Sequence, residues 1–229
     1  MRRIALAFVM AVVACGGATS NPGGPSSAPA PTPSPTPSPT ETRAATRSFV
    51  DAVHASALAT YRIVYVYRVV ANGQTQTLES TWYVRPPEMR WDFASPLGGS
   101  SSFYVLKDGV YVCSASGQPS PGCFSLGSLG AAEQSSGVAV QELVRDHPER
   151  FAATPGTKRE IAGIAADCFT VNDVDAVFGV GTLCYSAEGL PLFTEFKGAS
   201  AEFTMEAQSV TTNVTDADLK LPGPVQKQP

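Results

Sequence analysis

The sequence predicts an α+β domain in which a curved antiparallel β-sheet is covered by an N-terminal helix and a mid-chain helix. Three observations point there. From Tyr61 onward apolar and polar residues alternate with period two over most of the chain, the pattern of half-buried strands. Turn residues, among them Asn72-Gly73, Asp108-Gly109 and Glu188-Gly189, interrupt those runs at short intervals, so that neighbouring strands meet as hairpins. A helical period appears in only two places, near residues 44–60 and after Gly130. Two helices are few for so many strands, and an apolar sheet face needs a second layer. Part of the concave face is therefore expected to line a cavity.

The chain opens on Met1-Arg2-Arg3, followed by an apolar run from Ile4 to Val13 and the small residue Ala14 before Cys15. The run is too short for a permanent span, which needs ~20 apolar residues, and suits the core of a signal peptide over residues 1–14. Val12-Val13-Ala14-Cys15 resembles the lipobox of bacterial lipoproteins. That resemblance implies a diacylglyceryl group on the Cys15 thiol, cleavage before it and an acyl chain such as palmitate on the new amine. Two or three acyl chains anchor stably where one does not. The chain is thus expected to be exported and lipid-anchored to the cell membrane, with its domain on the extracytoplasmic side.

Residues 15–43 are almost all Pro, Ser, Thr, Ala and Gly, with Pro-Thr-Pro-Ser-Pro-Thr-Pro-Ser-Pro at 31–39. Such a stretch has nothing to bury. Alternating prolines favour polyproline II at ~3.1 Å per residue, giving a stalk on the order of 70 Å long. The domain is expected over residues 44–222, with a disordered tail at 223–229. Its first element is a helix from Ala44 to Thr60, on which Phe49, Val50, Val53, Ala57 and Leu58 recur at three and four residues. Arg47, Asp51 and His54 mark the other, solvated face. A hairpin follows, Tyr61 to Val70 and Thr75 to Val84 around Asn72-Gly73, and then a strand carrying Met89, Trp91 and Phe93. Phe103 to Leu106 and Val110 to Cys113 form a second hairpin, followed by a short strand from Cys123 to Leu126. Beyond Gly130, Val138, Val140, Leu143 and Val144 suggest a helix that His147-Pro148 stops. Lys158 to Val171, Gly181 to Ser186, Leu190 to Lys197 and Ala201 to Val210 complete the strands.

The formal charge of -4 falls to -6 once Arg2 and Arg3 leave with the signal peptide. That balance excludes a nucleic-acid partner, which needs basic patches. Besides Cys15 there are four cysteines, Cys113, Cys123, Cys168 and Cys184. An even number in an exported chain favours disulfides. Three pairings are possible. The two local ones, Cys113 with Cys123 and Cys168 with Cys184, would each bridge a hairpin, and neither has the close spacing of a zinc site. Asp167, Asp173, Asp175, Asp216 and Asp218 fall in no EF-hand pattern. The chain also lacks a G-x-S-x-G elbow, an H-E-x-x-H pair, a Walker loop and a dinucleotide fingerprint. No catalytic residue, metal or cofactor is expected, and the protein reads as a non-enzyme.

Aromatic residues crowd the first strands, with Tyr65, Tyr67, Trp82, Tyr83, Trp91, Phe93, Phe103 and Tyr104, and return late as Phe193, Phe196 and Phe203 beside Met205. Of these, Tyr65, Trp82, Trp91, Phe93, Phe103, Phe203 and Met205 are the candidates for a hydrophobic ligand-binding face. Trp82-Tyr-Val-Arg-Pro-Pro-Glu-Met-Arg-Trp-Asp92, Val105-Leu-Lys-Asp-Gly-Val-Tyr111 and the closing Val214-Thr-Asp-Ala-Asp-Leu-Lys-Leu-Pro222 are similar to stretches of the LolA/LolB-type lipoprotein carriers and their LprG/LppX-like relatives. The resemblance implies a half-open β-barrel with helices as a lid, whose cavity takes acyl chains of lipids, glycolipids or lipoproteins. A monomer is expected. The competing expectation is an envelope sensor or structural surface lipoprotein that docks a protein partner without transporting lipid.

Overall fold

The computed structural model describes residues 38–71, 73–94, 99–114, 122–127, 144, 146–173, 180–198 and 201–226. Helix α1 (Pro39–Leu58) begins inside the proline-rich stretch and not at Ala44. Ser38 explains the earlier start. Its hydroxyl accepts the Glu41 N–H at 3.3 Å while the Glu41 carboxylate accepts the Ser38 N–H at 2.8 Å, a capping box that meets donors the first turn leaves open. Pro39 stands at the first helical position, where its missing N–H costs nothing. Ala45, Phe49, Val53 and Ser56 form the buried stripe, and Arg47, Asp51 and His54 face solvent.

The strands are β1 (Tyr61–Ala71), β2 (Gln74–Arg85), β3 (Glu88–Ala94), β4 (Ser100–Leu106), β5 (Gly109–Ser114), β6 (Gly122–Gly127), β7 (Phe151–Pro155), β8 (Arg159–Ile161), β9 (Ile164–Asp173), β10 (Val180–Tyr185), β11 (Pro191–Lys197), β12 (Ala201–Thr211) and β13 (Val225–Gln226). A short helix, α2 (Asp216–Leu219), precedes β13. Together they make one curved sheet in the order β13-β6-β5-β4-β3-β2-β1-β12-β11-β10-β9-β7, with β8 paired to β9 alongside. The path starts at β13 and ends at β7, so the sheet is not closed into a barrel. Every pairing is antiparallel except β13 with β6. The first hairpin pairs Ala71 with Gln74 around the expected two-residue turn, and the second pairs Leu106 with Gly109.

Three elements depart from the sequence expectations. The expected single strand from Lys158 to Val171 is a hairpin, β8 and β9, turned at Ala162-Gly163 with φ of 52° and 75°. Alanine is a poor signal for that left-handed conformation, which glycine and asparagine adopt more readily. Strand β7 was not expected at all, because Phe-Ala-Ala-Thr-Pro is short and shows little alternation. At the C-terminus, Val225 and Gln226 are not a disordered tail, since they pair with Cys123 and Phe124 of β6. The mid-chain helix after Gly130 lies outside the described residues apart from its end, where Val144 is buried against Phe49 and Val53. Residues 1–37, with Cys15, and residues 227–229 also lie outside them.

Register divides the sheet into two faces. On the first stand Tyr61, Ile63, Tyr65 and Tyr67 of β1, Ser80 and Trp82 of β2, Trp91 and Phe93 of β3, Phe103 of β4, Met205 and Phe203 of β12, and Leu183 of β10. Helix α1 lies on this helix face, where the Phe49 ring centroid is 6.4 Å from Phe151, 5.8 Å from Phe169 and 6.4 Å from Tyr185. The helix is seated by two devices. Thr46 Oγ1 accepts the Ala153 N–H at 2.9 Å, which satisfies an outward-pointing group of the edge strand β7. Gly189, in the turn before β11, lies so close to α1 that a Cβ there would stand 2.6 Å from that of Ala55. Residues 212–226 cross the opposite face as a strap. Val214 and Leu219 pack with Tyr83, Leu221 packs with Tyr104, Tyr111, Cys113 and Cys123, and the Arg90 Nη1 donates to the Asp218 carbonyl at 2.9 Å.

Candidate functional site

On β1–β5 and β10–β12 charge is confined to one of the two faces. On β1–β5 and β10–β12, no helix-face position carries Asp, Glu, Lys or Arg. Arg62, Arg68, Glu79, Arg85, Glu88, Arg90, Asp92, Glu195, Lys197, Glu202 and Glu206 all stand on the strap face. Period two makes this separation possible, because each strand delivers alternate residues to opposite sides.

All seven candidate residues stand on the helix face. Tyr65 is fully buried, and its hydroxyl donates to the Pro191 carbonyl at 2.6 Å. It forms the floor of the site. Trp82, Trp91, Phe93, Phe103, Phe203 and Met205 are half-buried. The rings of Phe203, Tyr67, Tyr65, Trp82, Trp91 and Phe93 form a continuous stripe across the strands. Tyr65 to Trp82 is 5.8 Å between centroids, Trp82 to Trp91 5.9 Å, and Trp91 to Phe93 4.9 Å, while Tyr67 reaches Phe203 at 5.6 Å. Tilted and edge-on contacts at these separations suit the quadrupoles of the rings. Two residues of this stripe are not among the sequence candidates. Tyr67 follows Tyr65 on the same face, and Ser80 is a single hydroxyl, 4% exposed, in the middle of an aromatic patch. A small polar residue in the apolar phase of a strand was the available signal for Ser80.

Burial controls the ionisable groups here. Desolvation holds the Tyr65 hydroxyl well above the usual phenol range. It pushes Tyr67 up to about 12, against the opposing pull of the neighbouring Ser80 hydroxyl and Trp82 indole. These tyrosines are neutral at any physiological pH. The Tyr67 hydroxyl, the Ser80 hydroxyl and the Trp82 indole N–H are shielded from solvent and lie within reach of one another, and the Trp91 indole N–H is shielded without a partner among the described residues.

Tyr83, Tyr104 and Phe193 are assigned by register to the opposite face. Arg90 stacks over Tyr83 at 4.8 Å and Tyr104 at 5.5 Å, and its guanidinium forks onto Asp92 at 2.7 and 2.6 Å. Beside them Ser100, Ser102, Ser114 and Lys220 rim a polar cleft of about 540 Å³. Under the strap, Cys113 is bonded to Cys123, and on β9–β10 Cys168 is bonded to Cys184, each pair standing directly opposite in register. Both local pairings are formed. Among the described residues no cluster of His, Cys, Asp and Glu is arranged to hold a metal, and no helix is long and apolar enough to cross a membrane.

No protein-family model matches the chain, and no curated protein matches it in sequence. By structure it is similar to the Pseudomonas aeruginosa MucA/MucB complex, with a TM-score of 0.51 at 14% identity, covering 78% of this chain and 61% of that one. LprF from Mycobacterium bovis has a TM-score of 0.46 at 10% identity, covering 78% of this chain and 98% of that one. The lipoprotein LppX of Mycobacterium tuberculosis has 0.43 at 11% identity, covering 74% and 98%. The match to the chain in the MucA/MucB complex shows a shared fold. It spans about three fifths of the chain it matches in the MucA/MucB complex. At these identities the likeness is one of fold. Within that fold, the uncharged aromatic face and the strap on its back are features of this chain's own residues.

Proposed function

We propose that this protein is a membrane-anchored lipoprotein, held by Cys15, that binds or transfers acylated lipids on the helix face of its sheet. One observation carries the reading: a face without a single charge on β1–β5 and β10–β12 retains a half-buried aromatic stripe where the other half of the same face is sealed by α1. An acyl chain lying on that stripe removes apolar surface from water at about 25 cal/mol per Å². The resemblance of residues 82–92, 105–111 and 214–222 to the LolA/LolB-type carriers supports the same reading. The stalk would hold the site clear of the membrane, and no enzymatic step is needed.

A second reading, docking of a protein partner, is favoured by the similarity to a chain solved in the MucA/MucB complex. One experiment separates the two. The full chain with Cys15→Ser, purified and delipidated, is titrated with a fluorescent fatty-acyl probe, alongside Met205→Asp and Phe203→Asp. Saturable uptake by the parent that persists at high salt, and its loss in either variant with the circular dichroism spectrum unchanged, is the expected result. A folded, delipidated parent that takes up no lipid leaves the docking reading. In cells, Cys15→Ser is expected to move the protein from the membrane to the soluble fraction, whereas Cys113→Ser is not.

A further inference from the structure

We infer that the β6 edge of the sheet is a membrane-docking lip, at which Phe124, Leu126 and Val225 enter a lipid bilayer and open the helix face to it. The inference rests on the acyl-binding reading above and deepens it by naming the surface from which an acyl chain arrives.

The large apolar side chains left exposed among the described residues are Leu58, Phe124, Leu126, Val180 and Val225. Phe124, Leu126 and Val225 stand together at one end of the sheet, on β6 and β13. Register carries Trp91 to Phe103, Val112 and then Phe124, so Phe124 ends a row of apolar residues that crosses β3, β4, β5 and β6 on the helix face. Trp91, Phe103 and Val112 are half-buried, whereas Phe124 is 42% exposed. Leu126 is the extra residue of a bulge, since Tyr111 pairs with Ser125 and Val110 with Gly127, and a bulge re-aims a side chain at a sheet edge. It is 47% exposed. Val225 pairs with Cys123 and so lies on the strap face, which puts an apolar side chain on each side of the edge.

A bilayer fits this edge better than a protein strand. Strand β13 already takes the backbone of Cys123 and Phe124, and the Cys123 N–H donates to the Pro224 carbonyl at 3.4 Å, so an added strand would have to displace it. What remains on offer is side chains, which a bilayer takes without backbone partners. A sheet edge is normally guarded by charged residues, yet residues 122–127 and 221–226 carry none. Nothing there orients a charged partner, and no charge has to be desolvated on insertion. The edge is also the margin of the face that holds the acyl chain in the proposed function. A chain leaving the bilayer at the lip passes from hydrocarbon to aromatic rings without crossing water. Residues 16–37 join Cys15 to α1, a reach on the order of 70 Å at ~3.1 Å per residue, which lets the domain stand clear of the bilayer or return to it.

The test is flotation of the full chain carrying Cys15→Ser with phosphatidylcholine vesicles, at low and high salt, beside uptake of a fluorescent fatty-acyl probe from solution. The unanchored chain is expected to float with the vesicles and to stay with them at high salt, because apolar insertion is not screened. Phe124→Ser/Leu126→Ser should weaken that binding about tenfold and leave the unfolding midpoint unchanged, since both side chains are exposed in the free protein. Phe124→Trp should strengthen it, as tryptophan favours the membrane interface. No flotation by a parent that takes up the probe overturns the inference and leaves lipid binding intact. Flotation that the double serine variant retains, or that salt abolishes, overturns it as well. A parent that is dimeric until the two serines are introduced, and that does not float, puts a second copy on this edge and overturns it too. Flotation through the lip without probe uptake keeps the membrane contact and removes the acyl-binding reading.

Discussion

The β7, β9 and β10 end of the sheet and the β2–β5 end solve the same problem in opposite ways. At the first, α1 lies on the inner face and Phe49, Val53, Phe169, Leu183 and Tyr185 are all under a tenth exposed. At the second, the strap lies on the outer face and buries Tyr83, Tyr104 and Cys123, while Trp82, Trp91, Phe93 and Phe103 inside stay half-buried. The strap does for the outer face what a helix does for the inner one. An apolar residue is therefore structural or available to a ligand according to which layer covers it, and its own hydrophobicity does not decide.

The comparison breaks most sharply at Phe49. Phe49→Ala removes a fully buried ring from the sealed end and is expected to cost about 3–5 kcal/mol in urea unfolding. Trp91→Ala, on a half-buried ring, is expected to cost about 1–2 kcal/mol. Equal costs would mean that the two ends are packed alike and that the aromatic stripe is ordinary core. The disulfides sharpen the contrast further. Their cysteines lie 10 and 16 residues apart, and loop-closure entropy gives each roughly 3 kcal/mol. Cys113→Ala/Cys123→Ala should in addition release the strap, because Cys123 pairs with Val225 and packs with Leu221. Hydrogen exchange would then speed up in β13 and not in α1. Removing Cys168 and Cys184 should leave the strap protected.

Ala162 offers a gain in stability. It holds φ of 52° in the β8–β9 turn, and Ala162→Asn places Asn-Gly there, with an expected rise of about 0.5–1 kcal/mol by thermal unfolding. No change, or a loss, would show that the turn is not strained. The smallest effect is local and depends on pH. Bonds from the Thr215 hydroxyl at 2.7 Å and backbone N–H at 2.8 Å hold the Asp218 carboxyl below its usual 3.8. A depressed carboxyl stabilises the fold above its unfolded pKa, and that contribution fades as pH falls through the lower folded value. The α2 cap should therefore loosen only below about pH 3.8. Asp218→Asn should loosen it at neutral pH, read as faster exchange at residues 214–226 with the global midpoint unmoved.

Much of this was legible along the chain. Strict alternation in β1, β2, β3 and β12 specified those strands and which of their residues share a face, because side-chain period in a strand is a local property. The cysteine positions suggested both cross-strand bridges for the same reason. The start of α1 was also legible in Ser38-Pro-Thr-Glu41, a capping box hidden inside a proline-rich stretch whose composition argued for a stalk. Thr215-Asp-Ala-Asp218 carries the equivalent signal for α2. Strand β7 has no such local signature. It exists because β9 and Thr46 satisfy its backbone.

By itself the sequence determined the alternation, the turns, the separation of every charge of β1–β5 and β10–β12 from the aromatic stripe, and the absence of enzyme motifs. Those follow from neighbours in the chain. Only the tertiary structure decided which face α1 covers, that the last residues return to β6, and that Tyr83 and Tyr104 are core beneath the strap while Trp82 and Trp91 stay half-buried on the other face. Each of these depends on contacts between residues far apart in sequence, and period two assigns residues to a face without saying what will lie against it.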